Sequence, residues 1–109
     1  MSRLSDFCRW DIWIARVAFE DAPEVAKIRP VLVVDEKENY VLSVKITSHS
    51  PRSEFAGEYS IRYWQAAGLL KPSTIRLTKR LSLPKEAFIK KIGILQKADI
   101  ENIESILQH

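Results

Sequence analysis

Arg29 stands one residue before a proline at the head of an apolar run, Lys27-Ile28-Arg29-Pro30-Val31-Leu32-Val33-Val34. Pro30 has no N–H to give a sheet and restricts Arg29 to extended backbone, so the pair is expected to open a strand with a guanidinium held at its rim. A guanidinium is a permanently charged fork of donors that matches phosphate or carboxylate oxygens. Further on, Ser43, Lys45 and Thr47 alternate with Leu42, Val44 and Ile46. In a strand that alternation puts two hydroxyls and an ammonium on one face and three apolar side chains on the other. His49 continues the polar face into the next loop if the strand does not bulge, and its imidazole titrates near neutrality. With Arg29 on a neighbouring strand, these groups describe an anion site. Each also has a plainer explanation: Arg29 in an ion pair with Glu24 or Glu58, Thr47 as a residue of high β propensity, His49 as an exposed loop histidine.

The elements that must position these groups are short. Residues 9–19, RWDIWIARVAF, are rich in aromatic and β-branched types, with Trp10, Ile12 and Ile14 on one face and Trp13, Ala15 and Val17 on the other. That reads as a strand covered in part on both faces. A loop over 20–27 precedes the strand opened by Arg29, and the polar turn DEKEN at 35–39 joins it to a strand at 40–48 in an antiparallel hairpin. Residues 49–57 read as a surface loop, YSI at 59–61 as a short strand, and RYWQAAG at 62–68 as helical turns ended by Gly68. In the strand at 73–83, Ile75, Leu77, Leu81 and Leu83 face a core, whereas Arg76, Thr78, Arg80 and Ser82 face water. A turn at 84–88, a strand at 90–95 and a helix carrying Ile100, Ile103, Ile106 and Leu107 complete the chain, with Asp99 in the helix's first turn where the dipole favours it. The fold class is mainly β: a small, strongly bent barrel of five to six or more short strands with short helical turns and a C-terminal α-helix.

Composition bounds the rest. A chain of 109 residues with 46% hydrophobic and 28% charged content suits one domain over 1–109 and argues against disorder. No apolar run approaches the roughly 20 residues of a membrane span, and MSRLSDFCRW lacks a signal peptide's apolar block, so a cytoplasmic location with no membrane partner is expected. Cys8 is the only cysteine and the two histidines lie far apart, so neither a disulfide nor a metal or other cofactor is expected. The formal net charge of +3 hides an asymmetry: residues 62–97 hold nine Lys or Arg against Glu86 alone, a local charge of +8. Such a stretch is an electrostatic footprint for phosphates, or else a solvated cationic face.

The order DIWIARVAFED, KIRPVLVV, VLSVKITS, GLLKPSTIRL and KKIGIL followed by a terminal helix resembles the MazF/PemK (Kid) family of toxins from bacterial type II toxin–antitoxin systems, over roughly residues 10–107. Its most specific elements are Arg-Pro before a hydrophobic run and a hydrophobic strand ending in Thr-Ser. The resemblance implies an SH3-like barrel, a homodimer, metal-independent cleavage of single-stranded RNA, and neutralisation by a cognate antitoxin. By motif position, Arg29 and Thr47 match the family's active-site arginine and threonine, and Arg76 matches a second arginine used by some members. Lys27, Lys45, Thr78 and Arg80 are then expected to contact RNA, with Thr78 standing where members often carry Asp or Gln. His49 is a candidate proton carrier on spacing only. Two other readings share the basic stretch and the aromatics: a non-catalytic SH3-like nucleic-acid-binding module, and a peptide-binding module. RNA cleavage separates the enzyme from both.

Overall fold

The computed structural model describes residues 6–18, 24–48 and 57–108. Six antiparallel strands form one sheet: β1 (Asp11–Ala18), β2 (Ala26–Glu36), β3 (Val41–Thr47), β4 (Glu58–Ser60), β5 (Thr74–Leu83) and β6 (Phe88–Ile94). The strand order is β4-β5-β3-β2-β1-β6, and α1 (Lys97–Leu107) follows β6. The chain thus has the bent, mainly β small-barrel architecture expected from its periodicities. Among the described residues no helix is long and apolar enough to cross a membrane.

Two apolar clusters explain why β1 and β2 carry hydrophobic side chains on both faces. Ile12, Leu32, Val44, Ile46 and Ile75 pack with Ile61, Ala67 and Leu69, and Ile103 of α1 closes that cluster. On the other face Ala15, Val17, Val31 and Leu83 pack beneath Trp13 and Phe88. Phe7 stands 4.7 Å from Trp13 and 4.8 Å from Phe88 between ring centroids, within the range of favourable aromatic pairs.

Most strand bounds differ from the sequence reading by one or two residues, β6 for instance beginning at Phe88, and the starts of β1 and β2 have a physical cause. β1 begins at Asp11, not Arg9, because Trp10 adopts φ +78° in a tight turn. Asp11 closes that turn by accepting the Cys8 N–H at 2.9 Å on its carboxylate and donating its own N–H to the Cys8 carbonyl at 3.0 Å. β2 begins at Ala26, so Arg29 and Pro30 lie inside the strand and do not open it. The proline is tolerated there because pairing is one-sided: β1 already faces Pro30 through Ile14, whereas pairing with β3 starts only at Val31 with Lys45. What Pro30 opens is the ladder to β3. Register breaks between Val33 and Asp35 on β2, and between Val44 and Lys45 on β3, supply the curvature; across the latter, β5 moves from Arg80 to Arg76.

The turn over 62–68 ends as the sequence suggests. Gly68 donates to the Gln65 carbonyl and Leu69 to the Trp64 carbonyl, the paired bonds of a Schellman cap with Gly68 at φ +97°. Here the glycine is required twice over. A Cβ on Gly68 would lie 2.1 Å from the Ile92 carbonyl oxygen, and one on Gly93 would lie 1.9 Å from the Ala67 oxygen, so the turn and β6 cross backbone to backbone. Gly93→Ala is expected to destabilise the fold by about 1–3 kcal/mol, the usual range for overpacking. The melting temperature should drop by about 4–8 °C per kcal/mol; an unchanged melting temperature would contradict the close crossing.

Candidate active site

A cleft of about 710 Å³ opens where β1, β2 and β3 meet the segment that leads from Gly68 into β5 and the backbone of β6. Arg29 and Pro30 enter it from β2, Lys45, Ile46 and Thr47 from β3, and Arg76 from β5. The register explains the convergence. Val31 pairs with Lys45, so two residues further on the same antiparallel hairpin carries Arg29 and Thr47 to the same end of adjacent strands. Lys27 lines the cleft as well, two residues before Arg29.

The charge of the cleft is one-sided. Among the described residues, seven that line it are cationic, namely Lys27, Arg29, Lys45, Lys71, Arg76, Lys90 and Lys91, and none is acidic. Arg76 and Lys91 are ion-paired to carboxylates. Arg76 Nε lies 3.2 Å from Glu58 Oε2, with both side chains largely covered, and Lys91 Nζ lies 3.2 Å from Asp11 Oδ1. The Arg76 pair follows from register, since Glu58 of β4 is the cross-strand partner of Arg76 on β5. A carboxylate there fixes the guanidinium in place and withdraws part of its donor capacity. Glu58 is therefore committed to Arg76, and Arg29, which is exposed, makes no ion pair among the described residues. Apolar side chains such as Ile14, Val17, Leu69 and Ile92 fill the remaining wall. Phosphates or carboxylates fit such a surface, and the apolar wall offers flat contact for a base or an aliphatic side chain.

Other positions singled out in the sequence fall elsewhere. Thr78 and Arg80 are exposed on β5 but lie outside the cleft lining, and the Thr78 methyl group rests against Gly57. The shift in β3–β5 register between Arg80 and Arg76 separates them from Arg76, although simple alternation puts all three on one face. Ser43 does not join Lys45 and Thr47 at the anion site; it is wholly buried between Val33 and Leu81, with its Oγ unpartnered. The second apolar cluster covers that stretch of the face. His49 lies outside the described residues. Sequence spacing did not single out Lys71, Lys90 and Lys91 individually. The excess of cations over 62–97 was the only signal, and placing them needed the pairing of β6 with β1 and the crossing at Gly68 and Gly93.

A further buried carboxylate belongs to Asp99. Asp99, fully covered in the first turn of α1, accepts the Tyr59 hydroxyl and the Arg62 N–H on Oδ1 and the Tyr63 N–H on Oδ2. The Asn102 amide donates to the Tyr59 oxygen at 3.1 Å. Burial, followed by the bond to Asp99, pushes the Tyr59 phenol above the ordinary tyrosine range. A raised phenol pKa favours the folded state below the unfolded value of about 10, and that contribution is lost as pH rises through the folded value. Stability is therefore expected to decline on the alkaline side. Tyr59→Phe should cost about 1 kcal/mol at neutral pH and flatten that decline, as measured by thermal unfolding across the alkaline range; an unaltered alkaline slope would dismiss the assignment.

Residues 8–109 match the model of the PemK-like, MazF-like toxin family of type II toxin–antitoxin systems. Among solved structures, the fold is similar to Mycobacterium tuberculosis toxin MazF-mt6, with 22% sequence identity, a TM-score of 0.68, and coverage of 89% of this chain and 91% of that one. No curated protein matches the sequence. Toxins of the family are generally endoribonucleases, which implies an RNA substrate and an antitoxin partner. Matched over nearly its whole length, this chain belongs to the PemK/MazF family of type II toxin–antitoxin toxins.

Proposed function

We propose that the protein cleaves single-stranded RNA without a metal, using the RNA's own 2′-hydroxyl as nucleophile. The observation that carries this reading is the convergence of Arg29 and Thr47 from adjacent strands on a cleft whose described lining has seven cationic and no acidic residues. The 2′-oxygen bonds to phosphorus as its proton is removed, and the bond from phosphorus to the 5′-oxygen breaks as that oxygen gains a proton. The products are a 2′,3′-cyclic phosphate and a 5′-hydroxyl. The protein's task is to hold ribose and phosphate in line and to stabilise charge on the phosphoryl oxygens.

Arg29 suits the charge role because its planar fork meets two phosphate oxygens at once, and it stays protonated throughout. Thr47 donates its hydroxyl to a phosphoryl or leaving oxygen. Arg76, anchored by Glu58, is a second clamp with a fixed direction. Lys27 and Lys45 hold flanking phosphates within the cleft, whereas Thr78 and Arg80 meet the strand only outside it. His49 is the candidate for proton transfer.

An antitoxin with an acidic segment would compete for the same cationic surface and silence the enzyme by occupancy. In this reading the protein works in the cytoplasm as a homodimer, one compact domain per chain, with no cofactor. The test is a short RNA cleaved at a known bond, compared with the same oligonucleotide carrying a single 2′-deoxyribose 5′ to that bond. Loss of cleavage at that bond alone is expected. Equal cleavage of both would eliminate 2′-hydroxyl attack.

A further inference from the structure

We propose that Asp99 is a positioning residue for the nucleic-acid cleft, holding the wall formed by Leu69, Leu70 and Lys71 in place from α1. This inference rests on the RNA-cleaving reading of the cleft but concerns a group that the chemistry does not touch.

Asp99 is fully buried, and its two oxygens accept three hydrogen bonds from residues 36–40 positions earlier in the chain. Two of the donors are the backbone N–H groups of Arg62 and Tyr63, at 2.9 Å each. They belong to the first residues of the turn over 62–68 and would otherwise be unsatisfied, so the carboxylate caps that turn in trans. The other end of the turn is fixed by the Schellman bonds at Gly68 and Leu69 and by the crossing of Gly68 over Gly93. The chain then passes directly into the cleft wall. Leu69 is 7% exposed and anchored in the core, Leu70 is 95% exposed, and both line the cleft together with Lys71.

A segment pinned at both ends has little freedom to move its middle. Lys71 lies just beyond the second pin, so releasing the Asp99 end acts on it through the Gln65 and Trp64 carbonyls to which Gly68 and Leu69 donate. A buried carboxylate with three well-placed donors has a narrow choice of geometry, which suits a positioning role better than a solvated helix-end charge would. Lys71 comes from the segment after Gly68, whereas Arg29 and Thr47 come from β2 and β3, so its displacement is expected to weaken binding and leave the chemical step nearly untouched.

The test is Asp99→Asn, which keeps the shape and removes the charge. Amide exchange should accelerate at least tenfold at Arg62, Tyr63 and Leu69, with strand amides such as Leu32 and Val44 unchanged. Binding of a labelled RNA oligonucleotide with 2′-O-methyl riboses throughout, which cannot be cut by 2′-attack, should weaken. Its salt slope should become less steep by about 0.7, the value of one lost contact on a single strand. With cleavable RNA, KM should rise while kcat stays within about twofold. Adding Asp99→Asn to Lys71→Ala should weaken binding no further, because the two act through one contact.

If Asp99→Asn does not fold, Tyr59→Phe removes one of the three donors and should give the same pattern at smaller amplitude. Uniformly faster exchange along the chain, with unchanged salt slope and KM, would make Asp99 merely structural and overturn the proposal. Should the wild-type protein bind the methylated oligonucleotide but cut nothing, the nuclease reading falls while the binding arms still decide the role of Asp99. Should it bind no RNA at all, localised exchange supports the positioning of the wall, and uniform exchange overturns it.

Discussion

Arg29→Ala is expected to slow RNA cleavage by about 10²-fold or more, because removing a single preorganised donor to a developing oxyanion typically costs that much. The fold should survive, since the side chain is exposed and makes no ion pair among the described residues. Arg80→Ala provides the contrast. Arg80 is also an exposed arginine but lies outside the cleft lining, so its loss should weaken RNA binding modestly and leave kcat unchanged. Single-turnover kinetics at saturating protein separate the two effects. Equal, binding-only defects for both variants would move the protein from the nuclease to the binding-module reading.

The second large effect is on salt. Of the cationic residues described in the cleft lining, Arg76 and Lys91 are already ion-paired to carboxylates, and Arg29, Lys45, Lys71 and Lys90 are the four counted on to displace counterions from RNA. For a single strand the expected slope of log affinity against log salt is about −0.7 per contact, hence about −2.8 here, or about 50-fold weaker binding between 50 and 200 mM salt. Titration of the 2′-O-methyl oligonucleotide measures this directly. A slope near zero would mean that phosphates do not occupy the cleft. The same slope bears on the antitoxin: an acidic segment bound to these cations should release at high salt in parallel.

How far the site was legible depended on how local its determinants are. Arg29 and Thr47 could be brought together on paper because one antiparallel hairpin carries both, and a hairpin's period of two is readable from side-chain type. The two-faced character of β1 was equally plain, and each predicted face meets its own apolar cluster. Where Pro30 sits was misjudged. A proline rule identifies a position without a ladder partner, and that position turned out to be the start of pairing with β3 inside a longer strand. Ser43 failed for a different reason: alternation assigns a face but not what covers it, and a second cluster lies over that part of the face. On β5, alternation grouped Arg76 with Thr78 and Arg80, and the break in register with β3 divided them.

Lys71, Lys90, Lys91 and Asp99 were out of reach of local patterns altogether. Their placement follows from β6 joining the sheet beside β1, from two glycines crossing, and from a carboxylate that crosses to another element. Asp99 in particular satisfies the helix-dipole rule, and that sufficiency concealed its three hydrogen bonds. A buried acid and an exposed one look alike in a sequence.

The proposed reaction, RNA cut by its own 2′-hydroxyl on a cationic cleft built around Arg29 and Thr47, leaves a chemical signature on its products. The most direct measurement is digestion of a mixed-sequence single-stranded RNA in excess EDTA by wild type and Arg29→Ala, with analysis of the new ends. The account predicts fragments from the wild type with 2′,3′-cyclic phosphate and 5′-hydroxyl ends, formed about 10²-fold more slowly by the variant. Fragments with 5′-phosphate ends, or cleavage that stops when EDTA is added, would contradict it.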